Sequence, residues 1–266
     1  TKLSPGEFVL AINGVDVSAN EDLFKVINEQ SGREVKLLVN KTPSKTGARE
    51  VTYRALSGGE WSGINYRNRI DARRKYVEEK SGGKLTYIHI AGMGGGNMET
   101  FNREAWQYVQ GKQGVIIDVR NNGGGNIADA LLDILERKPQ MLYVPRDGEL
   151  QNAPGTAWDR PTVVMHAETS LSNAEMFPAA MKTRKLATLV GMPTPGYVIY
   201  TNGGRLVDGT SIRQPNTGVF RVDGTPTENM GQEPDIKVDI SPEQFFRNED
   251  PQLDRAIEHL LRQIRG

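Results

Sequence analysis

A glycine-rich segment next to a strongly apolar run is the first candidate for chemistry. Residues 118–125 read Asp-Val-Arg-Asn-Asn-Gly-Gly-Gly and continue the apolar run that begins at Val115. Glycines between a strand and a helix let the backbone turn sharply and present N–H groups at a helix N-terminus, where anions and developing oxyanions bind. The pattern also fits a plain strand-to-helix turn. A phosphate-binding loop is disfavoured, because no Gly-Lys-Ser or Gly-Lys-Thr follows.

A serine at a second strand-to-helix junction is the next candidate. Residues 169–175 read Thr-Ser-Leu-Ser-Asn-Ala-Glu. A serine at such a junction has its hydroxyl near the helix N-terminal amides, which suits a nucleophile with an adjacent oxyanion hole. Ser172 and Glu175 also have the spacing of a Ser-x-x-Glu capping box, so a purely structural role for Ser172 stays open.

The two segments are more informative together than apart. Each joins a strand to a helix, and parallel neighbouring strands would bring both junctions to one end of a sheet, where ligands of open α/β sheets bind. One segment would supply the serine and the other the backbone donors.

No general base for Ser172 is evident among the histidines. His166 lies six residues before Ser172, at the predicted end of a strand, but a structural or surface histidine is the simpler interpretation. His89 falls inside a predicted strand and is expected in the core, and His259 is expected at a surface or interface of the last helix.

The lysines after the serine are equally poor candidates. Lys182 and Lys185 follow Ser172 by ten and thirteen residues. An unbroken helix would place Lys182 about 15 Å along its axis, beyond reach. Only a break at Pro178 would change this.

Composition narrows the functional class. The chain has 266 residues, with 33 Lys and Arg balancing 33 Asp and Glu, so no basic surface is predicted and nucleic acid is disfavoured as a partner. The absence of cysteine excludes a thiol nucleophile, disulfides and cysteine-ligated metal. Three histidines far apart in sequence predict neither a metal site nor a cofactor. Apolar runs of about five residues predict no membrane span.

The hydropathy pattern divides the chain into residues 1–57 and 58–266. The first part predicts a small β-rich module with strands over 8–12, 35–39 and 50–53, and one short helix capped by Asn20. Residues 57–59, Ser-Gly-Gly, predict a linker. After it, strands alternate with helices, which predicts an α/β core with a parallel sheet. The last predicted helix has Asp250 as its N-cap and Pro251 at its first position.

Five segments together resemble the tricorn-type proteases of the tail-specific, or C-terminal processing, serine peptidase family. Taken singly each is a weak signal, but their number and order make the resemblance fairly specific. The segments are 5–14, 74–90, 118–125, 172–175 and 228–236. The resemblance runs nearly from end to end. It implies a crotonase/ClpP-like catalytic core over 58–266, preceded by a PDZ-like domain over 1–57 that lacks its first part.

The resemblance also implies peptide-bond hydrolysis through an acyl-enzyme on Ser172. The backbone N–H groups of Gly124 and Asn173 would hold the oxyanion, with Gly125 nearly as good a candidate as Gly124. Gly123 and Gly125 would contact the substrate, which is expected to be a peptide or an unfolded protein. A homo-oligomer is a further expectation.

The remaining catalytic groups follow from the same resemblance. Glu228 would be the carboxylate of a tricorn-like tetrad, orienting the base through a second serine. The base itself, a histidine, is expected on an upstream domain absent from this sequence, so the chain alone is expected to be inactive. The chain begins without methionine, as a piece of a longer polypeptide would. The compartment stays open between cytoplasm and, if a signal peptide was removed, periplasm or secretion.

The sequence departs from the family pattern at three positions. Tyr197 stands where many tail-specific proteases have a lysine base, Asn173 stands where tricorn proteases usually have aspartate, and Pro178 interrupts a stretch that is usually helical. Two alternatives remain: a non-catalytic peptide-binding module in which Ser172 only caps a helix, and a crotonase-like acyl-CoA enzyme.

Overall fold

The computed structural model describes residues 2–20, 22–148 and 150–265. The chain divides into two compact units, 1–69 and 70–266. In the described ranges no helix has both the length and the apolar character needed to cross a membrane.

The first unit is a four-stranded antiparallel sheet with one short helix. Its elements are β1 (Phe8–Ile12), β2 (Val15–Asp16), α1 (Phe24–Ile27), β3 (Glu34–Asn40) and β4 (Arg49–Arg54). The strand order is β2-β1-β3-β4. Asn13 and Gly14 join β1 to β2 with φ of 50° and 82°, the left-handed conformations that an Asn-Gly hairpin turn requires. The buried side chains are Ala11, Ile12, Val35, Val39 and Val51.

The predicted cap of α1 is wrong. The helix begins at Phe24, four residues after Asn20, and the Phe24 N–H donates to Asp22 Oδ1 at 3.0 Å. Asn20 therefore lies too far before the helix to satisfy its first amides.

The predicted linker is also wrong, because Gly58 and Gly59 form the first turn of a long helix, α2 (Gly58–Lys80). Ser57 and Glu60 cap it reciprocally: the Glu60 N–H donates to Ser57 Oγ at 3.2 Å, and the Ser57 N–H donates to Glu60 Oε2 at 2.9 Å. This capping box offsets the low helix propensity of two consecutive glycines.

The second unit is an α/β fold around a five-stranded parallel sheet, as predicted. The strand order is β13-β10-β9-β6-β5, and every pairing is parallel. In chain order the elements after α2 are β5 (Leu85–His89), α3 (Gly95–Tyr108), β6 (Gly114–Asp118), α4 (Ala128–Leu135), β7 (Met141–Tyr143), β8 (Gln151–Ala153), β9 (Thr162–His166), α5 (Asn173–Thr183), β10 (Thr188–Gly191), β11 (Ile199–Arg205), β12 (Ser211–Gly218), β13 (Ile236–Lys237), α6 (Pro242–Phe246) and α7 (Pro251–Gln263).

Helices cover both faces of this sheet. Ile117, Val164 and Leu189, from three neighbouring strands, belong to one core cluster with α3, α4 and α5. The alternate strand residues face the other side, where α7 packs on β6, β9 and β10. All residues of β5, β6 and β9 are buried, as strands covered on both faces must be. The predicted cap of the last helix is confirmed, since Asp250 Oδ1 accepts from the Leu253 N–H at 3.1 Å.

Candidate active site

Ser172 lies in a strained turn between β9 and α5. Its φ of 55° and ψ of −116° are unusual for a residue with a side chain. Holding such a conformation costs about 1–3 kcal/mol, and strain of this kind concentrates at functional sites. The turn leaves Ser172 half-buried at the start of the helix, in the manner of a nucleophile elbow.

The capping interaction at this turn does not use the Ser172 hydroxyl. The Ser172 N–H donates to Glu175 Oε1 at 3.0 Å, and the Glu175 N–H donates to the Ser172 backbone carbonyl at 2.8 Å. The Ser172 side chain itself makes no cap hydrogen bond. The hydroxyl is therefore available for chemistry although Ser172 and Glu175 do begin the helix.

The glycine segment packs directly against this turn, so both predicted segments meet at one place. Gly124 has φ of +92°, and a Cβ on it would lie 2.8 Å from the Leu171 carbonyl oxygen and 3.2 Å from the Asn173 nitrogen. A Cβ on Gly125 would lie 2.0 Å from the Met93 carbonyl oxygen. Only glycine fits at either position, because any side chain would displace backbone atoms.

The backbone N–H groups of Gly124, Gly125 and Asn173 differ in their availability. The Gly124 N–H donates to Asn122 Oδ1 at 2.9 Å, so it is already engaged. The N–H groups of Asn173 and Gly125 have no hydrogen-bond acceptor within the described part of the chain. The donors left free for an anion are thus those of Asn173 and Gly125, rather than that of Gly124. Gly123 is exposed, with open space where a side chain would be.

The Asn173 side chain braces a second helix instead of pointing to solvent. It is buried, and its Oδ1 accepts from the Ala128 N–H, the first amide of α4, at 2.9 Å. The Asn173 side chain therefore joins the N-termini of α4 and α5, while the Asn173 N–H stays free of any acceptor in the described residues. This structural role accounts for an amide or a carboxylate at position 173, since both have an oxygen that can accept this bond.

A buried ion-pair network holds the strand end from which the glycine segment leaves. Asp118 is fully buried and accepts hydrogen bonds from Tyr87 and from the Arg120 guanidinium, which also pairs with Asp250. Burial alone would raise the pKa of Asp118, but the Arg120 charge and hydrogen bonds outweigh it and hold that pKa well below its usual range. The network fixes the backbone from which the segment starts.

The segment is also fastened to the turn that holds Ser172. Asn122 is fully buried, and its Nδ2 donates to the Ile90 carbonyl at 2.8 Å. The backbone carbonyl of Asn122 accepts from the Leu171 N–H at 2.9 Å. The Ser170 hydroxyl donates to the Val119 carbonyl at 2.9 Å. Asn122 and Ser170 were not singled out from sequence, where a buried asparagine has no distinguishing pattern.

In the described part of the chain no histidine is hydrogen-bonded to Ser172. His166 is fully buried with no partner for either ring nitrogen, and burial lowers its pKa to about 4. His89 Nε2 lies 3.0 Å from the Arg120 carbonyl oxygen, and His259 Nε2 lies 3.0 Å from Thr188 Oγ1. As expected from sequence, His89 is a core residue.

Lys182 is held elsewhere as well. Helix α5 continues through Pro178 to Thr183, so Lys182 lies far along the axis, where its Nζ pairs with Asp235 Oδ1 at 2.7 Å. Tyr197, which from sequence stands in place of an expected lysine, lies in the loop after β10. Its backbone N–H donates to Glu175 Oε1 at 2.7 Å.

Glu228, the predicted tetrad carboxylate, lies in an exposed turn after β12. The next residue binds this turn to the loop after β10, because the Asn229 N–H donates to the Gly196 carbonyl at 2.8 Å. Gly196 in turn donates its N–H to Glu175 Oε2 at 2.7 Å. The structure therefore connects the Glu228 turn with the Ser172 turn through Glu175, which from sequence alone had only a capping role.

The described residues contain no cluster of three or more His, Asp or Glu side chains that could hold a metal ion. Among the described residues, the surroundings of Ser172 offer its hydroxyl and backbone N–H groups that have no acceptor. Backbone N–H groups of this kind can bind an anion through the main chain.

Comparison with known proteins agrees with this geometry. The family model "Peptidase family S41" matches residues 84–238, which include both the glycine segment and Ser172. The chain belongs to peptidase family S41. The resemblance to tricorn proteases read from five segments is likewise confirmed.

Similarity to individual S41 members extends over nearly the whole chain. The tricorn protease of Thermoplasma volcanium is 32% identical over 260 residues, covering 96% of this chain and 25% of that protein. A tricorn protease homolog of Saccharolobus solfataricus is 34% identical over 266 residues, covering 99% of this chain and 24% of that protein. A crystal structure of the tricorn protease superposes with a TM-score of 0.87 at 30% identity, over 98% of this chain and 25% of that one. The chain thus spans about a quarter of the length of these S41 relatives.

Proposed function

We propose that this chain carries the nucleophile and oxyanion hole of a serine peptidase that cleaves peptides or unfolded proteins. The observation that supports it best is the strained backbone of Ser172. The Ser172 N–H is bonded to Glu175 Oε1, whereas the Ser172 hydroxyl makes no cap hydrogen bond. The free Asn173 N–H lies beside it, against a backbone that only glycine can form. Membership of family S41 supports the same chemistry.

In the proposed reaction Ser172 Oγ attacks the carbonyl carbon of the scissile peptide bond. A general base takes the hydroxyl proton, and the carbonyl electrons move to oxygen. The N–H groups of Asn173 and Gly125 then stabilise that oxyanion. Collapse of the tetrahedral intermediate expels the amine, which receives the proton from the base, and leaves an acyl-enzyme. Water, deprotonated by the same base, hydrolyses the ester and regenerates the Ser172 hydroxyl.

The choice of Gly125 over Gly124 as second donor revises the prediction from sequence. Gly124 keeps a role in substrate contact and close packing, because its N–H is bonded to Asn122. Glu228 remains the proposed carboxylate that orients the base. The base itself is proposed to be a histidine from a domain upstream of this chain, since no histidine or lysine of the described residues is hydrogen-bonded to Ser172.

The domain assignments belong to the same proposal. The antiparallel sheet β2-β1-β3-β4 with the short helix α1 supports a PDZ-like module over 1–57, and the parallel sheet covered on both faces supports a crotonase/ClpP-like core. Self-association of the longer polypeptide is a further part of the proposal, which sedimentation at several protein concentrations would test.

Labelling with a fluorophosphonate, followed by intact-mass measurement, tests the proposed nucleophile. The reagent is applied to this chain and to a polypeptide extended upstream. Ser172→Ala is compared with Ser211→Ala, which changes an exposed serine on β12. Labelling of the extended polypeptide only, lost in Ser172→Ala and kept in Ser211→Ala, supports a base supplied from upstream.

Other outcomes have equally definite meanings. Labelling of this chain alone would place the base within it, and His166 would then be substituted first. If neither this chain nor the extended polypeptide is labelled although both are folded, Ser172 is not the nucleophile, and a peptide-binding module is favoured. Binding of an acyl-CoA instead of a peptide would favour the thioester alternative.

A further inference from the structure

Glu175 is a buried carboxylate that receives four hydrogen bonds from two parts of the chain. It is 2% exposed. Its Oε1 accepts from the N–H groups of Ser172 and Tyr197 at 3.0 and 2.7 Å. Its Oε2 accepts from the Gly196 N–H at 2.7 Å and from the Thr194 hydroxyl at 2.5 Å. Helix capping requires only the first of these four bonds, so the other three need a separate explanation.

The Thr194 hydroxyl extends this set of bonds to a third segment. Its single proton is donated to the carboxylate, and its oxygen accepts from the Gln232 N–H at 2.8 Å. The Gln232 carbonyl accepts in return from the Thr194 N–H at 3.2 Å. A backbone N–H cannot accept, so the Gln232 bond uses a lone pair of the Thr194 oxygen and leaves the hydroxyl proton for Glu175.

Close backbone contacts reinforce the same junction. A Cβ on Gly196 would lie 2.6 Å from the Met230 nitrogen, and a Cβ on Gly231 would lie 2.1 Å from the Thr194 carbonyl oxygen. The segment 229–232 is thus packed and hydrogen-bonded against 194–196. Glu228 immediately precedes this segment.

We propose that Glu175 and Thr194 form a clasp that sets the position of the Glu228 turn relative to the Ser172 turn. Both are positioning residues, since they act through the backbone they hold and not on the substrate. The proposal rests on the proposed function, in which Ser172 and Glu228 serve one reaction.

The clasp requires a carboxylate at position 175. In Glu175→Gln one carboxylate oxygen becomes an NH₂ group that faces two donors and can accept from neither. In Thr194→Val the side chain keeps its shape, but the Gln232 N–H loses its acceptor and Glu175 loses one donor. The Ser172 N–H bond to Glu175 Oε1 is untouched in that variant, which makes Thr194→Val the more selective change.

Hydrogen exchange measured by NMR on the 266-residue chain tests the clasp without any need for activity. In Thr194→Val we expect the Gln232 and Asn229 amides to exchange roughly 10- to 100-fold faster, the range for loss of hydrogen bonds linked to a charged group. The Ser172 amide should keep its exchange rate. Thr183→Val is the matched control, because it removes a hydroxyl that donates only to the Ala179 carbonyl within α5.

A double-mutant cycle tests the link to catalysis. The readout is the rate of fluorophosphonate labelling of Ser172 in the upstream-extended polypeptide. We expect Thr194→Val to slow labelling about tenfold when Glu228 is present, the scale of a small misplacement of a catalytic group. In the Glu228→Gln background the same substitution should have no further effect, because its action passes through Glu228.

The two readouts separate failure of the clasp from failure of the proposed function. Unchanged exchange at Gln232 in Thr194→Val overturns the clasp. Equal slowing in both backgrounds shows a general structural effect and also overturns it. If labelling persists in Ser172→Ala, the proposed function fails, whereas the exchange measurements still decide whether the clasp exists.

Discussion

Replacing Gly124 with alanine perturbs the contact between the glycine segment and the Ser172 turn. The new Cβ would lie 2.8 Å from both the Leu171 carbonyl oxygen and Ser172 Cβ, whereas ordinary contact begins at 3.4 Å. The turn must therefore retreat by about 0.6 Å, the difference between these two distances. A left-handed φ of +92° adds a conformational cost of about 1–2 kcal/mol for alanine.

Gly209→Ala separates the steric effect from the conformational one. Gly209 has φ of +84° and nothing within 4 Å of its ideal Cβ, so alanine there meets the same backbone strain without a clash. We expect both variants to lose about 1–2 kcal/mol of unfolding free energy from strain, and Gly124→Ala to lose more.

The labelling rate of Ser172 should distinguish Gly124→Ala from Gly209→Ala more clearly than their unfolding free energies do. Displacing a reacting group by a large fraction of an ångström costs on the order of tenfold to a hundredfold in rate. We therefore expect fluorophosphonate labelling of the upstream-extended polypeptide to slow by that factor in Gly124→Ala and to stay unchanged in Gly209→Ala. Equal labelling rates in the two variants, with both folded, would refute the packing argument.

Three further perturbations probe the surroundings of the site. Burial holds the pKa of His166 near 4, below its value of 6.5 in the unfolded chain. The folded state therefore loses stability as the pH falls from 6.5 towards 4, because the unfolded chain binds the proton more readily. Urea unfolding should show about 2 kcal/mol lost from this source between pH 7.5 and 5, and no such loss in His166→Leu. Asn173→Ala should cost about 1 kcal/mol of unfolding free energy because the Ala128 N–H loses its cap, whereas Asn173→Asp should keep the cap, and a loss in both would contradict this role. Arg120→Met should cost about 3–5 kcal/mol, because it removes the main counter-ion of the fully buried Asp118 and leaves only Arg73 at 4.0 Å. Adding Asp118→Asn should restore part of this loss, and no recovery in the double variant would count against charge burial as the cause.

The strongly patterned elements of the fold were predictable from the sequence. The apolar run at 115–119 predicted a strand buried on both faces, and β6 occupies Gly114–Asp118. Asp250 and Pro251 predicted the start of α7, because a cap and a proline at the first helical position are local signals. Such elements need no information from distant parts of the chain.

Elements that depend on competing local signals were predicted wrongly or missed. Gly58 and Gly59 indicated a linker, yet the capping box of Ser57 and Glu60 makes them helical. The hairpins β7–β8 and β11–β12 were not predicted. Most of their residues are exposed, so burial imposes no alternation of polar and apolar residues on their sequences.

The roles left open for Ser172 depend on which of its atoms are considered. A Ser-x-x-Glu spacing fits both a helix cap and a nucleophile, and in the structure the capping bonds use the Ser172 backbone and the Glu175 carboxylate, while the hydroxyl takes no part in them. The further donors to Glu175 come from residues 19 to 22 positions away, and two of the three are backbone amides. Backbone amides carry no side-chain signature, so no sequence pattern could have indicated them. A spacing of residue types therefore pointed to the Ser172 turn, whereas the bonds that join it to the Glu228 turn became visible only in three dimensions.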